Sequence, residues 1–456
     1  MRKLGLLCLA LAFLSGAVSA KITLPVPTEF KLDNGLTIQV VERHQLPLFS
    51  LKLTVRGGST YDPVGKEGLA SLASDMLMRG TRTRDAKQIA DEIAFGGGTL
   101  GNSCSYVTAG FDGEFLTAQG EAAFEILSDL VLNSTFTEAE LDKTRKRASG
   151  DLQNRRENPG AVANDRIRSA ILGGSRYAHF TGGEIAAVKA LTRDDVVQFV
   201  EDHYTPDNCV LVVCGDLATE TVRQWAVEYF GRWNGQAALT DVNTPFPTVT
   251  GREVTIYDKK DATQTQIRIG GNGMPLNHPD YPALEAARTV YGGSFTSRLM
   301  DEIRVNRGLT YGVRYRSYTY SPGGVAFVTT FTKHSTVGEV IDIILAEAAN
   351  MQTEPVSDSE LTGGINYQCG TYPLDFETND DLAGVFANLW VTGLDKSYYE
   401  DYQEKLKAVT AEQVIGVAKK YFPQDNYKLV LVGKADEIMS QAEKYGPVTV
   451  IPLSEE

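Results

Sequence analysis

Apolar and polar positions alternate in step through Leu36–Val41, Phe49–Val55 and Tyr106–Leu116, which predicts strands. A helical period runs through Ala86–Ala94, Glu121–Val131 and Glu138–Arg155. Further along, Glu253–Tyr257 and Thr265–Ile269 read as strands, and Tyr281–Tyr291 and Val337–Met351 as helices. Thr310–Tyr320 and Gly324–Phe331 read as a hairpin around Ser321-Pro-Gly-Gly324. Hairpins mixed with helices point to an α+β fold rather than a doubly wound parallel sheet.

The pattern repeats. Thr192-Arg-Asp-Asp-Val196 and, further on, Asp207-Asn208 lead into the apolar run Cys209-Val-Leu-Val-Val-Cys-Gly215. At one fixed offset Thr410, Val414, Asp425-Asn426 and Tyr427-Lys-Leu-Val-Leu-Val-Gly433 follow the same plan. Each copy predicts a Thr-capped helix, an Asp-Asn turn and a buried strand closed by glycine. The chain therefore reads as two homologous domains, 21–235 and 252–456. Between them Gln236–Gly251, with two prolines and little helical period, reads as a linker.

Met1-Arg-Lys3, the apolar stretch Leu4–Leu14 and the small residues Val18-Ser19-Ala20 have the layout of a cleavable secretory signal, residues 1–20. The stretch is too short to span a bilayer, and no later one is long enough. Export to a periplasm is the expected localisation. A net charge of −14 argues against nucleic acid as a partner, because phosphate binding needs a basic face. Cys104, Cys209, Cys214 and Cys369 follow the signal. Cys209 and Cys214 are spaced to point to opposite faces of one strand, so they are not expected to pair with each other. The pairing state of the four is otherwise open.

Several segments resemble the pitrilysin/insulinase family of zinc peptidases. These are Leu32-Asp-Asn-Gly-Leu-Thr-Ile38, Gly68-Leu-Ala-Ser-Leu-Ala-Ser-Asp-Met-Leu-Met-Arg-Gly-Thr81, Gly96-Gly-Gly98 and Ser297-Arg-Leu-Met-Asp-Glu-Ile-Arg-Val-Asn-Arg-Gly-Leu-Thr-Tyr311. The resemblance implies two α/β sandwiches closing as a clamshell around an extended peptide. The family's metal helix carries His-x-x-Glu-His, two imidazoles sharing one helix face and a Glu that polarises water. Ser71, Ser74 and Asp75 stand at those positions, and Asp151 at the position of the third ligand, a Glu. The apolar stripe Leu69, Leu72, Ala73, Met76 and Leu77 keeps the helix without its chemistry. No metal or other cofactor is expected in this chain. His44, His179, His203, His278 and His334 have no ligand spacing and read as surface or capping residues. There is no Gly-x-Ser-x-Gly elbow.

The resemblance also covers the peptide side. An Arg and a Tyr seven residues apart in the second domain bind substrate and steady the tetrahedral intermediate in the family, and Arg304 and Tyr311 keep that spacing. Arg304 is expected to end a helix, Gly308 to make a turn and Tyr311 to begin a strand. Gly97 and Gly98 precede a predicted strand, Ser103–Leu116, onto whose edge an extended peptide could add by main-chain hydrogen bonds. A Gly-rich hairpin turn is the plainer reading of the same glycines. The expected function is that of a non-catalytic subunit: Arg304 and Tyr311 serve a homologous, zinc-bearing partner subunit. The second reading is a peptide-binding or scaffold pseudoenzyme with no part in proteolysis.

Overall fold

A computed structural model describes residues 21–453, so the expected secretory signal lies outside the described residues. Among the described residues no helix is long and apolar enough to cross a membrane. Strands β1 (Thr28–Lys31), β2 (Thr37–Glu42), β3 (Leu48–Arg56), β4 (Thr99–Cys104), β5 (Thr108–Leu116) and β6 (Cys209–Gly215) form one sheet, ordered β1-β2-β6-β3-β5-β4. Strands β7 (Arg252–Asp258), β8 (Thr265–Gly273), β9 (Arg314–Tyr320), β10 (Gly323–Thr332), β11 (Tyr427–Gly433) and β12 (Val448–Pro452) form the second, ordered β12-β7-β11-β8-β10-β9. The repeat seen in the sequence is thus a repeat of sheets. β6 runs parallel to β2 and antiparallel to β3, and β11 runs parallel to β7 and antiparallel to β8. The copies differ at one rim, where β1 is antiparallel to β2 but β12 is parallel to β7.

Five helices of the first half matter for the site: α1 (Leu69–Leu77), α2 (Ala86–Phe95), α3 (Gly120–Asn133), α4 (Glu138–Glu157) and α5 (Pro159–Leu172). α1 and α3 join Arg193–His203 over one face of the first sheet, with Leu72, Met76, Leu127, Leu130 and Phe199 meeting Leu51, Leu53, Leu211 and Val213. The second sheet has the same cover from Tyr281–Arg288, Val337–Thr353 and Ala411–Tyr421.

The other face of each sheet is covered by the opposite half. α5 lays Val162, Ala163, Ile167 and Ile171 on Val325, Phe327, Val430 and Val432 of the second sheet. In return Asn379–Thr392 lays Leu382, Ala383, Phe386 and Ala387 on Val41, Val210, Val212 and Cys214 of the first. β6 is buried on both faces for this reason, which is why it reads as an unbroken apolar run rather than an alternating one. Cys209 belongs to the helix-side core and Cys214 to the crossed-over one, so they do face apart, and all four described cysteines are free thiols.

Three expectations need correction. The single strand expected over 103–116 is a hairpin, β4 and β5, turned at Ser105–Val107. Tyr311 does not begin a strand: Thr310 and Gly312 are tied locally, and β9 starts at Arg314. His203 and His334 are buried, not superficial. His203 bonds the Phe199 carbonyl through Nδ1 in the last turn of its helix, and His334 places its two ring nitrogens against the Thr265 hydroxyl and the Ala262 carbonyl.

Candidate functional site

α1 begins after Gly68, in the left-handed region, and its first turn is held by a distant carboxylate. Asp62 Oδ2 accepts from the Gly68 N–H and Oδ1 from the Ala70 N–H, both at 2.7 Å. Its side chain is fully buried, and burial raises its pKa in spite of these bonds and of His179 at 3.4 Å. Two donors at the start of the helix are thereby satisfied, and its first turn is tied to the loop that follows β3.

The face of α1 that would carry metal ligands is closed by protein groups. Ser74 is buried; its hydroxyl donates to the Ser103 carbonyl at 3.2 Å and accepts from Asn102 Nδ2 at 3.1 Å. Asn102 Nδ2 also donates to Asp75 Oδ1 at 3.0 Å, and Arg147 Nη2 to Asp75 Oδ2 at 2.8 Å. Asp75 thus ties α1 to β4 on one side and to α4 on the other. Ser71 is half-buried on the same helix, and Asp151 is exposed on α4, one turn beyond Arg147. Neither Asn102 nor Arg147 stands out in the sequence, because an Asn in a strand and an Arg on a charged helix are both commonplace.

This donor set does not fit zinc. A catalytic zinc needs three ligands of imidazole, thiolate or carboxylate type. Here both Asp75 oxygens are engaged, one by a guanidinium, and the remaining positions offer two hydroxyls and one carboxylate. Among the described residues no three His, Cys, Asp or Glu side chains converge on a metal-sized site. The nearby Cys104 thiol is pushed up by burial and then by the carboxylates of Asp62 and Asp75, which keeps it protonated and a poor nucleophile. A cleft of about 480 Å³ opens between α4, α5 and the loop through His179. Four of its charged groups pair with one another: Arg155 binds Asp165 through two bonds of 2.7 Å, and Arg156 binds Glu184 at 2.7 Å.

Gly97 and Gly98 have local work. Gly97 sits at φ +65° just past α2, and its N–H and that of Gly98 close the last turn onto the Ala94 and Ile93 carbonyls. A Cβ on Gly98 would come within 2.2 Å of the Phe115 ring. The glycines turn the chain into β4, which among the described residues pairs with β5 alone and forms the rim of its sheet.

In the second half, Ser294–Tyr311 follows a wide-turn helix ending at Gly293. Arg298 binds Glu360 through two bonds, Nε to Oε1 at 2.7 Å and Nη2 to Oε2 at 3.0 Å. Arg307 binds Glu302 at 2.7 Å and Glu339 at 3.0 Å. Arg304 lies in the helix Met300–Asn306, and Gly308 makes the expected turn at φ +63°. The guanidinium of Arg304 rests over the Phe295 ring, 4.8 Å from its centre. Tyr311 is 80% exposed. The elements that pack most extensively on α1 include α4, β4, β5 and Arg193–His203, all of its own half.

The Arg298–Glu360 pair gives a pH test. Its guanidinium, and then the Ser357 N–H and hydroxyl, hold the Glu360 carboxyl down from 4.5 to about 2. A depressed acid stabilises the fold above its unfolded pKa and loses that contribution as pH falls through the folded one. Thermal unfolding of the wild type and Glu360→Gln should therefore differ fully above about pH 5.5, and the gap should close as pH approaches 2.

Two like lobes, a helix packed beside a rim strand, and an Arg–Tyr segment on the second lobe make up a two-lobed α+β scaffold, and none of Ser71, Ser74, Asp75 and Asp151 supplies an imidazole. Family models agree: Insulinase (Peptidase family M16) matches residues 39–182, and Peptidase M16 inactive domain matches residues 190–367. The chain belongs to the insulinase family, peptidase family M16. It is 24% identical over 413 residues to the uncharacterized zinc protease YmxG of Bacillus subtilis, covering 90% of this chain and 99% of that one. It is 21% identical over 439 residues to the mitochondrial-processing peptidase subunit beta of Bos taurus, covering 93% and 88%. Among solved structures it resembles a peptidase M16 inactive domain from Pseudomonas fluorescens, with a TM-score of 0.82 at 24% identity, covering 90% of this chain and 98% of that one.

Proposed function

We propose that this chain is the non-catalytic subunit of a periplasmic, heteromeric zinc peptidase. A homologous partner subunit carries His-x-x-Glu-His and the zinc, and this chain supplies Arg304 and Tyr311 to an extended peptide held at the partner's metal. The observation that carries the reading is a contrast within one chain. The metal face of α1 is locked by Asp75, Asn102 and Arg147, whereas among the described residues no carboxylate engages Arg304 or Tyr311. Arg offers a fixed fork of donors to carbonyl oxygens, and a phenol offers one more to a developing oxyanion. The rim position of β4 beyond Gly97 and Gly98 supports a place for extended peptide on this subunit as well. The bovine relative is named as a subunit of a peptidase, which supports a role within an assembly.

The test uses the purified chain, a zinc-bearing homologue from the same genome and a mixture of internally quenched peptides. The chain alone should give no hydrolysis and bind no stoichiometric zinc. Adding the homologue should give turnover that a chelator abolishes and that exceeds the homologue's own. Chelator-sensitive hydrolysis by the chain alone would overturn the reading. For the localisation, fractionation should place the chain in the periplasm with Lys21 as its first residue.

A further inference from the structure

The segment 294–311 holds three arginines of the motif, and they are kept in place in two different ways. Arg298 and Arg307 spend their N–H donors on Glu360, Glu302 and Glu339. The guanidinium of Arg304 has no hydrogen bond or ion pair among the described residues, and its recorded contact is the face of Phe295. A ring face attracts a guanidinium through the π cloud and leaves the in-plane N–H groups untouched. A carboxylate in the same place would hold the side chain equally well but would consume the donors that a peptide carbonyl needs.

Phe295 is itself unusual in its setting. It is 57% exposed, although a phenylalanine gains most by burial. The chain around it is firmly placed. The Ser294 hydroxyl donates to the Thr289 carbonyl at 3.2 Å, and the Ser297 hydroxyl to the Ser294 carbonyl at 2.8 Å. Ser294 and Ser297 are buried, and Arg298 is clamped to Glu360. A rigid turn therefore presents an exposed ring beneath Arg304, with Val305 and Tyr311 exposed nearby in sequence.

We infer that Phe295 is a positioning residue: its ring holds the Arg304 guanidinium extended toward substrate with every side-chain N–H free. This deepens the proposed function and rests on it. The ring acts through Arg304 and has no contact of its own with the reacting atoms.

The substitutions that test it are Phe295→Leu, which keeps apolar bulk without a π face, and Phe295→Tyr, which keeps the face. In the isolated chain the Arg304 side-chain Nε–H resonance, assigned with Arg304→Lys, should be shifted upfield by the ring. The shift should vanish in Phe295→Leu and persist in Phe295→Tyr. In the complex with the zinc-bearing homologue, Phe295→Leu should lower kcat about fivefold with KM within twofold, and Phe295→Tyr should stay within twofold of wild type. The unfolding temperature and complex formation should not change in either variant. Absence of the ring shift in the wild type overturns the inference, and so does full turnover in Phe295→Leu where Arg304→Ala is impaired. If Arg304→Ala itself leaves turnover unchanged, the proposed function falls, while the ring shift still reports on the Phe295–Arg304 contact.

Discussion

Arg304→Ala is expected to lower partner-dependent peptide hydrolysis by about 10²–10³-fold in kcat/KM, and Tyr311→Phe by a comparable factor. The size follows from what each change removes. Alanine takes away a charged fork of donors aimed at carbonyl oxygen, and phenylalanine takes away one hydroxyl and nothing else. Neither change should unfold the chain. Tyr311 is 80% exposed, and the half-buried Arg304 has no hydrogen bond or ion pair among the described residues, so neither change breaks a polar network and each should cost about 1 kcal/mol or less in stability. Complex formation followed by size-exclusion chromatography should likewise be unchanged. The loss can then be assigned to the donors rather than to assembly or folding. If both variants support wild-type turnover within an intact complex, the chain is a scaffold, and the Arg–Tyr spacing is a structural relic.

Local features of this protein were legible in the sequence because local physics decides them. The Thr192 and Thr410 caps form with their boxes as the pattern requires, and α1 keeps its apolar stripe against the core. That Ser71 and Asp75 are not histidines needs no structure to see. The hairpin of β4 and β5 was harder, since Asn102 to Val107 carries no Gly or Pro to mark its turn. Arg147 could not be found at all. It lies on a helix crowded with charge, and its partnership with Asp75 depends on how α4 crosses α1. The same holds for Phe295, whose meaning comes from a ring contact nine residues away in the chain. The stretch Gln236–Gly251, which the sequence reads as a linker, lies between β6 and β7 in chain order. What the sequence cannot show is that each half's outer helix belongs to its neighbour. α5 and Asn379–Thr392 are amphipathic in the ordinary way, and periodicity reports that a face is buried without reporting against which sheet.

That exchange leads to the second large effect. Phe386 is 3% exposed and sits among Val41, Val210 and Val212 of the opposite half. Phe386→Ala should cost about 3–5 kcal/mol, the range for truncating a buried aromatic. Ile167→Ala, in the mirror position on α5, should cost about 2–5 kcal/mol. Each substitution lies in one half's helix yet uncovers the other half's sheet. Calorimetry should therefore show one cooperative transition that moves as a unit in both variants, not two transitions of which one moves. The same reasoning forbids independent halves. A fragment of residues 21–235 lacks the helix that covers β6 and would expose a strip of Val41, Val210, Val212 and Cys214 to water. An exposed apolar sheet face of that extent drives association, so the fragment should be aggregated or molten when made alone. Co-expression with a fragment of residues 236–456 should rescue both, because each brings the helix the other needs. A soluble, monomeric, cooperatively folding 21–235 fragment would show that the crossed helices are decoration. Their interlocking would then have no part in holding Arg304 and Tyr311 at a fixed place relative to the first lobe.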